Sequence, residues 1–347
     1  MGGPKVNAMA EKTEGLDFVS YWKETRTRLD QELNRQIPVL FSALGSQQIE
    51  TIQQIIKDGK RIRGCLVFLM NQTQEGKPED SLPRAVAIEC IQAASLIHDD
   101  YLDEDVIRRK RPATWTIEGP RRAVLLGDIM FATAIQSMAE LSKEDGATVA
   151  HAIATVANGA YQELFWQTKT GKSRAHKLLE KDLYEHIIYL KTGALFGAAC
   201  QLGAIAAGAH QEVSALAYAF GARTGEAYQI ADDLEDFIAW WRQPQENPEK
   251  LSPLLPALSY FCRQTGLTLP QQPASYWQKT LQHWCQRTGY KFIHCMEQEI
   301  NLRLKQAESY IEFFPDNPYT QILSKAPAKI TAMMHRLATT SSTQAQA

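Results

Sequence analysis

The chain has 347 residues and a mass of 39.0 kDa, with 22% charged and 44% hydrophobic residues and a formal net charge of −2. This length allows one large domain or two smaller ones, each with a substantial core. The near-neutral charge argues against a nucleic-acid-binding protein, which usually has a basic excess. The six cysteines include no CxxC pair, so they indicate reduced, mostly buried thiols in a cytoplasmic protein rather than a disulfide framework.

No membrane span is predicted, because the longest weakly polar stretch, residues 193–209, is rich in Ala and Gly and is interrupted by Gln201. The N-terminus lacks the basic-then-apolar pattern of a signal peptide. Residues 1–14 and 339–347 are polar and without apolar periodicity, which predicts a disordered N-terminal segment and a flexible tail. The composition does not shift in between, so a single domain is predicted over residues 15–338.

Apolar residues recur at helical spacing through most of the chain and strand-like alternation is scarce, which predicts an all-α, single-domain helical fold. The predicted helical segments are 85–97, 122–141, 148–166, 182–207, 212–241, 276–285 and 292–313. Breaks are predicted at 74–83, 111–120, 143–146 and 170–173, and in the proline-rich stretch 244–273. That stretch is a candidate loop over a site, and a plain connector is the alternative.

Two DDxxD clusters carry most of the chemical information. The first cluster is Asp99, Asp100 and Asp103, and the second cluster is Asp232, Asp233 and Asp236. Residues four apart share a helix face, so each cluster presents paired carboxylates at the end of an apolar run. Hard oxygen donors with few His or Cys nearby favour magnesium or manganese over zinc, and magnesium favours phosphate oxygens. The pair therefore predicts a diphosphate clamp, with two solvated acidic helix ends as the alternative.

Basic residues supply the other half of a phosphate site. Lys60 and Arg63 open one helical run, and Arg108 and Arg109 follow the first cluster. Lys191 lies inside an otherwise apolar segment, where a lone lysine is costly without an anionic partner. The alternatives are a solvated basic turn for the arginines and a lysine whose ammonium reaches the surface.

Five segments occur in one order along the chain: DGKRIRG, QAASLIHDDYLDEDVIRRKRPAT, LLGD, YLKTGALF and YQIADDLEDF. In sequence and order they resemble the signature regions of the trans-isoprenyl diphosphate synthases. The resemblance implies a bundle of antiparallel α-helices around a deep apolar cavity, usually as a homodimer. It also implies head-to-tail condensation of isopentenyl diphosphate with an allylic prenyl diphosphate.

The resemblance also implies a role for each motif residue. Asp99, Asp103 and Asp232 would bind Mg²⁺, with Mn²⁺ as a substitute, and Asp100, Asp233 and Asp236 would support them. Arg108 and Lys191 would contact the allylic diphosphate, Lys60, Arg63, Gln92 and Arg109 would hold isopentenyl diphosphate, and Thr192 and Gln229 would lie near the developing allylic cation.

The chain departs from the family after Asp236. Family members usually carry two lysines in a glycine-containing loop there, and in this chain Lys250 is the one remaining candidate. The departure leaves two other readings open: a weakly active regulatory subunit of a prenyl synthase, and a class I terpene cyclase on the same scaffold.

Product length is predicted from the residues just before the first cluster. Ser95 and Ala94, four and five positions upstream of Asp99, would point down the cavity, and both are small. The prediction is a product of twenty carbons or more. The alternative is an earlier floor formed by Phe131, Ile135 or Met138.

Overall fold

The computed structural model describes residues 17–168, 183–242, 253–270 and 274–344, and it confirms the predicted all-α class. The α-helices are α1 (Phe18–Leu40), α2 (Ser46–Ile56), α3 (Ile62–Thr73), α4 (Pro78–Leu102), α5 (Thr114–Glu118), α6 (Pro120–Leu141), α7 (Lys143–Thr168), α8 (Leu183–Ile188), α9 (Ala194–Ala206), α10 (Gln211–Arg242), α11 (Leu255–Thr265), α12 (Ala274–Glu308) and α13 (Pro318–Gln344). The other elements are a π-helical turn (Tyr189–Gly193), a 3-10 turn (Ile311–Phe313) and the antiparallel strands β1 (Ile107–Arg108) and β2 (Arg111–Pro112).

Some predicted boundaries differ from the observed ones. Residues 143–146, predicted as a break, form the first turn of α7, and Ser142 alone separates it from α6. The Ser142 hydroxyl accepts a hydrogen bond from the Asp145 backbone N–H at 3.0 Å and donates to the Asp145 carboxylate at 2.8 Å, which caps the helix. The predicted segment 276–285 and most of the segment 292–313 are joined in α12, which ends at Glu308, and residues 311–313 form the separate 3-10 turn. There Gly289 makes room for a neighbouring ring, since a Cβ would lie 2.7 Å from Trp241 Nε1.

The terminal predictions fall partly outside the described residues. Residues 1–14 and 345–347 are not among them, whereas α13 continues through residues 339–344 of the predicted tail.

Helices α9 and α10 form the centre of the molecule and lie in close backbone contact. A Cβ on Gly225 would lie 2.9 Å from the Cα of Gly193, and one on Gly221 would lie 2.4 Å from the carbonyl oxygen of Phe196. Larger side chains at these two positions would force the helices apart. The glycines therefore set the second acid cluster, on α10, beside the π turn that contains Lys191.

Two hydrophobic clusters surround this centre. The larger involves α1, α3, α4, α6 and α9, and the smaller packs the C-terminal half of α10 against α11 and α12. Within the proline-rich stretch, α11 contributes the fully buried Leu258 and Phe261 to the smaller cluster. All six cysteines are buried and free, in agreement with the sequence prediction.

Within the residues that the structure describes, two segments are long and apolar enough to cross a membrane by length and composition. The first is Leu183–Ala206. Within its most apolar 18-residue stretch, 78% is buried inside the protein, as expected of a core helix. The second is α6. Only 28% of its most apolar 18-residue stretch is buried. Its Leu125 and Ile129 are 59% and 37% exposed, so α6 presents an apolar face to the surroundings of the single chain.

Candidate active site

The first acid cluster lies at the C-terminal end of α4. The Asp103 backbone N–H donates to the carbonyl oxygen of Asp99 at 2.8 Å and closes the last turn. Burial raises the pKa of Asp99 to about 6, the charge of Lys191 opposes this rise, and the charges of Asp103 and Glu163 add to it. A helix C-terminus also disfavours negative charge. The negative charge of the cluster is therefore incompletely neutralised by the protein, which favours binding of a cation.

The second cluster lies within α10, which continues past it to Arg242. Both oxygens of Asp233 accept hydrogen bonds, from the Tyr184 hydroxyl at 2.7 Å and from Gln229 Nε2 at 3.0 Å. Burial raises the pKa of Asp233 to about 7, and these two hydrogen bonds oppose the rise. Asp233 is thus held by two hydrogen bonds, whereas the hydrogen bond that the described residues make to Asp232 is a long one, 3.5 Å from Gln229.

Gln229 links the second cluster to the π turn. The Thr192 hydroxyl donates to Gln229 Oε1 at 2.6 Å, while the amide nitrogen of Gln229 donates to Asp233. Because one end of the amide accepts and the other donates, its orientation is fixed. The predicted residues Thr192, Gln229 and Asp233 therefore form one connected network.

Lys191 lies between the two clusters. Burial raises the pKa of acids on both sides, and the charge of Lys191 opposes this rise in each of them: Asp99, Asp103, Asp232 and Asp233. The lysine Nζ donates to both carboxylate oxygens of Glu163, at 3.1 Å and 2.9 Å. A π-helical turn widens the helix locally and is frequent at functional sites. The two clusters and one lysine therefore share a single region of strong electrostatic coupling.

The basic turn before α3 is held by buried ionic contacts. Arg61 has φ of 56° and is only 5% exposed, and its guanidinium contacts Asp30 at 2.7 Å and Glu89 at 3.4 Å. Glu89 also accepts a hydrogen bond from the Gly64 backbone N–H at 2.9 Å. Glu89 thus binds both sides of the turn. A left-handed conformation at a non-glycine residue is maintained only where surrounding contacts stabilise it.

This turn presents Lys60 and Arg63. The Lys60 Nζ lies 3.2 Å from the Tyr228 hydroxyl and 3.0 Å from the Met334 sulfur. The Arg63 guanidinium carbon lies 4.5 Å from the centre of the Phe196 ring, and its buried Nε has no hydrogen-bond partner among the described residues. Within those residues neither cation forms an ion pair with an acid. Both are therefore available to an anion.

The arginines after the first cluster lie on the hairpin. Arg108 pairs with Asp100 through a short contact and lies 3.7 Å from Asp105. Arg109 is exposed and donates to the carbonyl oxygen of Lys57 at 3.1 Å. A cavity of about 420 Å³ lies beside this hairpin, between α2 and α4. In this structure Arg108 thus contacts two acids, whereas the family resemblance assigns it to the allylic diphosphate.

The remaining predicted residues lie on the same helices. Gln92 is half-buried on α4, Ala94 and Ser95 are buried on that helix, and Asp236 is exposed on α10. Across from α4, Met138 is buried, and the Phe131 ring centre lies 5.4 Å from that of His98. Lys250 lies outside the described residues.

A family model described as polyprenyl synthetase matches residues 47–244, more than half of the chain. The chain belongs to this family. The match includes every motif of the predicted site apart from Lys250, and it confirms the resemblance read from the sequence.

Individual members show how far the likeness extends. The chain is 34% identical over 219 residues to heptaprenyl diphosphate synthase component 2 of Geobacillus stearothermophilus, a match that covers 63% of this chain and 65% of that protein. It is 35% identical over 191 residues to a short chain isoprenyl diphosphate synthase of Methanothermobacter thermautotrophicus, covering 53% and 56%. These matches span less than two thirds of the relatives' own lengths.

The fold likeness covers more of the chain. The crystal structure of polyprenyl synthase from Caulobacter crescentus, complexed with calcium and isoprenyl diphosphate, superposes with a TM-score of 0.71 at 23% identity. The superposition covers 90% of this chain and 97% of the other. The isoprenoid synthase fold therefore extends beyond residue 244, where the sequence has diverged.

Two site residues were not predicted from the sequence. Glu163 lies on α7, and Tyr184 lies on α8, the helix that leads to the π turn. Neither belongs to an acid cluster or a basic run, and each reaches the site through a contact between distant elements. The one local signal is Gly159, which stands one helical turn before Glu163.

Proposed function

We propose that this polyprenyl synthetase family member condenses isopentenyl diphosphate with an allylic prenyl diphosphate, joining them head to tail (1'-4) to give an all-trans product. The observation that carries the proposal is the pairing of two kinds of charge. Two acid clusters converge on Lys191, and next to them Lys60 and Arg63 have no acid partner among the described residues. This arrangement suits two diphosphates, one bound through metal and one bound by cations alone.

Magnesium fits the acid side of the site. Asp99, Asp103 and Asp232 are hard oxygen donors, and burial raises the pKa of each, so a divalent cation would relieve the cost of ionising them. Manganese suits the same donors. When bound, the metal would neutralise the diphosphate leaving group. Asp233, engaged by Tyr184 and Gln229, would orient Asp232 rather than bind the metal directly, and Asp100 would hold Arg108.

The chain's own residues account for the remaining steps. Lys191 would donate to the leaving diphosphate as the allylic carbon–oxygen bond breaks. The Gln229 carbonyl, held by Thr192, would face the developing allylic cation. Lys60, Arg63, Gln92 and Arg109 would hold isopentenyl diphosphate so that its double bond attacks that cation. The departing diphosphate would accept the proton that is then lost, since none of the motifs supplies a conspicuous base.

The proposed product has twenty carbons or more. Ala94 and Ser95 are small and buried on the helix that carries the first cluster, and these positions would line the path of the growing chain. The relatives include both a heptaprenyl and a short-chain enzyme, so membership of the family does not fix product length, and the proposal rests on these two residues.

The proposed assembly is a homodimer. Helix α6 is the more exposed of the two apolar segments, and Leu125 and Ile129 lie on its uncovered face. A second copy of the same helix would bury them, and a symmetric contact of this kind is the commonest form of homo-oligomer. The buried thiols and the ionic surface fit a cytoplasmic location.

A regulatory or partner-dependent role is the second candidate. It is favoured by the name of one relative, component 2 of a heptaprenyl synthase, which implies a further subunit for that protein. The divergence after residue 244 leaves the same question for this chain. A terpene cyclase is less favoured, because a cyclase has no use for the paired cations Lys60 and Arg63.

One assay separates these functions. The purified chain is incubated with radiolabelled isopentenyl diphosphate, magnesium and a dimethylallyl, geranyl or farnesyl diphosphate primer, and the products are resolved by chromatography. The proposal expects labelled prenyl diphosphates of twenty carbons or more from the chain alone. A cyclase would consume the primer without incorporating label, and a regulatory subunit would be inactive until its partner is added.

A further inference from the structure

Glu163 forms an ion pair with Lys191, whose ammonium group binds the allylic diphosphate in the proposed function. Both of its carboxylate oxygens lie within hydrogen-bond distance of Lys191 Nζ, at 3.1 Å and 2.9 Å. The glutamate and lysine side chains are 24% and 35% exposed, so the pair borders the open part of the site rather than the core. A ligand approaching the acid clusters could therefore reach the lysine directly.

The position of Glu163 is built into the packing of α7. A Cβ on Gly159 would lie 2.9 Å from the Cβ of Leu190 and 3.3 Å from the backbone nitrogen of Lys191. The missing side chain lets α7 approach the π turn closely. Glu163 lies one helical turn further along the same face of α7, and so it meets Lys191.

The charges around this pair are predominantly negative. Among the charged side chains that act on Asp99 and Asp103, Lys191 is the strongest cation, and Glu163 raises the pKa of both aspartates. Asp232 and Asp233 act on the same lysine from α10, and Lys60 and Arg108 supply the other cations within reach of Asp232. Among the contacts described, Glu163 is the acid that touches Lys191, while the four aspartates act on it from a distance.

We propose that Glu163 is the resident counter-ion of Lys191, which the diphosphate of the allylic substrate must displace or share before the lysine can bind it. The inference rests on the proposed function, because it assumes that Lys191 is an allylic-diphosphate ligand. Glu163 is then a positioning residue that holds the lysine extended between the clusters and weakens binding of a diphosphate that arrives without its metal. This would restrict the site to metal-loaded substrate.

The test measures binding rather than turnover. Inorganic diphosphate is titrated calorimetrically, in EDTA, into the full chain, into Glu163→Gln and into Glu144→Gln. The last variant is a matched control, because Glu144 is an exposed glutamate in the first turn of the same helix. Glu163→Gln keeps the shape of the side chain and removes its charge. It is expected to bind inorganic diphosphate about 3- to 10-fold more tightly than wild type, the size typical of one partly exposed charge pair, and Glu144→Gln is expected to match wild type.

The same substitution in a Lys191→Met background distinguishes an effect through the contact with Lys191 from long-range repulsion between the Glu163 charge and the diphosphate. If Glu163 acts through Lys191, adding Glu163→Gln to Lys191→Met changes affinity by less than about 2-fold. Equal tightening in both backgrounds, or unchanged or weaker binding by Glu163→Gln, would overturn the inference. If wild type transfers prenyl groups but Glu163→Gln binds diphosphate no better, only this inference fails. If wild type neither binds diphosphate nor transfers prenyl groups, the proposed function fails with it.

Discussion

Two sets of cations divide the site at the level of single residues. Lys191 is surrounded by carboxylates, whereas Lys60 and Arg63 contact a hydroxyl, a sulfur and an aromatic ring. A cation among acids suits a ligand that brings metal, and a cation whose direct contacts are neutral groups suits a bare diphosphate. The two sets should therefore respond to different substrates.

Alanine substitution tests this division. Lys60→Ala or Arg63→Ala should raise the Michaelis constant for isopentenyl diphosphate about 10- to 100-fold, because a charge-assisted contact is lost, with less effect on the allylic primer. Lys191→Ala should do the reverse. Steady-state kinetics with each substrate varied in turn gives both constants, and equal effects on the two substrates would show that the division is mistaken.

Tyr184 positions the second acid cluster through one hydrogen bond. Tyr184→Phe removes the 2.7 Å bond to Asp233 and keeps the ring, so kcat should fall about 10-fold, the usual cost of a hydrogen bond to a charged group. The control is Tyr218→Phe, which removes a hydrogen bond of 2.8 Å to the Tyr189 hydroxyl that involves neither acid cluster. Similar losses in both variants, or an unchanged kcat in Tyr184→Phe, would contradict the positioning role.

The motif residues were predictable because the members of each motif stand close together in the sequence. Asp99 and Asp103 stand one helical turn apart, so their spacing predicts paired carboxylates, and Lys60 and Arg63 belong to a short motif whose role the family resemblance implies. Glu163 and Tyr184 reach the site only because α7 and α8 pack against the π turn. Contacts between elements distant in sequence leave no periodic signal, so these residues could not be found from the sequence.

At the level of elements, glycines determine how closely the site helices approach. Gly225 brings α10 against the π turn, and Gly159 does the same for α7. The predicted helices were recognisable from their apolar spacing. Their ends were not, because the capping contacts of Ser142 and the fit of Gly289 beneath Trp241 depend on side-chain geometry.

Helix α4 carries both the first acid cluster and the proposed determinant of product length. Ala94→Phe adds a ring at a fully buried position, so the product should shorten, because the ring occupies space that the growing chain needs. Chromatography of the products made from geranyl diphosphate measures the change, with Ala94→Gly as the control that adds no volume. An unchanged product distribution in Ala94→Phe, or farnesyl diphosphate as the main wild-type product, would contradict this account.

At the level of the whole molecule, α6 has an apolar face that the described part of a single chain leaves exposed. Leu125→Glu combined with Ile129→Glu should convert a dimer to a monomer, because two charges on each subunit would be buried in the symmetric contact. Light scattering after size-exclusion chromatography measures the mass. The control, Tyr290→Glu, changes a residue that is 77% exposed on α12. A wild-type monomer, or a double variant that stays dimeric, would rule out this interface.

The chain is conserved in fold along most of its length, although sequence similarity is concentrated before residue 244. Apart from Lys250, the motifs of the proposed site all lie in that first part. The later helices α11 and α12 pack against the C-terminal half of α10. They therefore stabilise the helix that carries the second cluster. This division explains how the later sequence can diverge without loss of the fold.

The central claim is that the two acid clusters act together as one metal and diphosphate site. The most direct test is the turnover of Asp99→Ala, Asp232→Ala and the double variant at saturating magnesium. Each single variant should lower kcat by about 1,000-fold or more, and the double variant should be little worse than the poorer single one, because either change disables the same clamp. Near wild-type turnover in either single variant, or losses that multiply in the double variant, would contradict the claim.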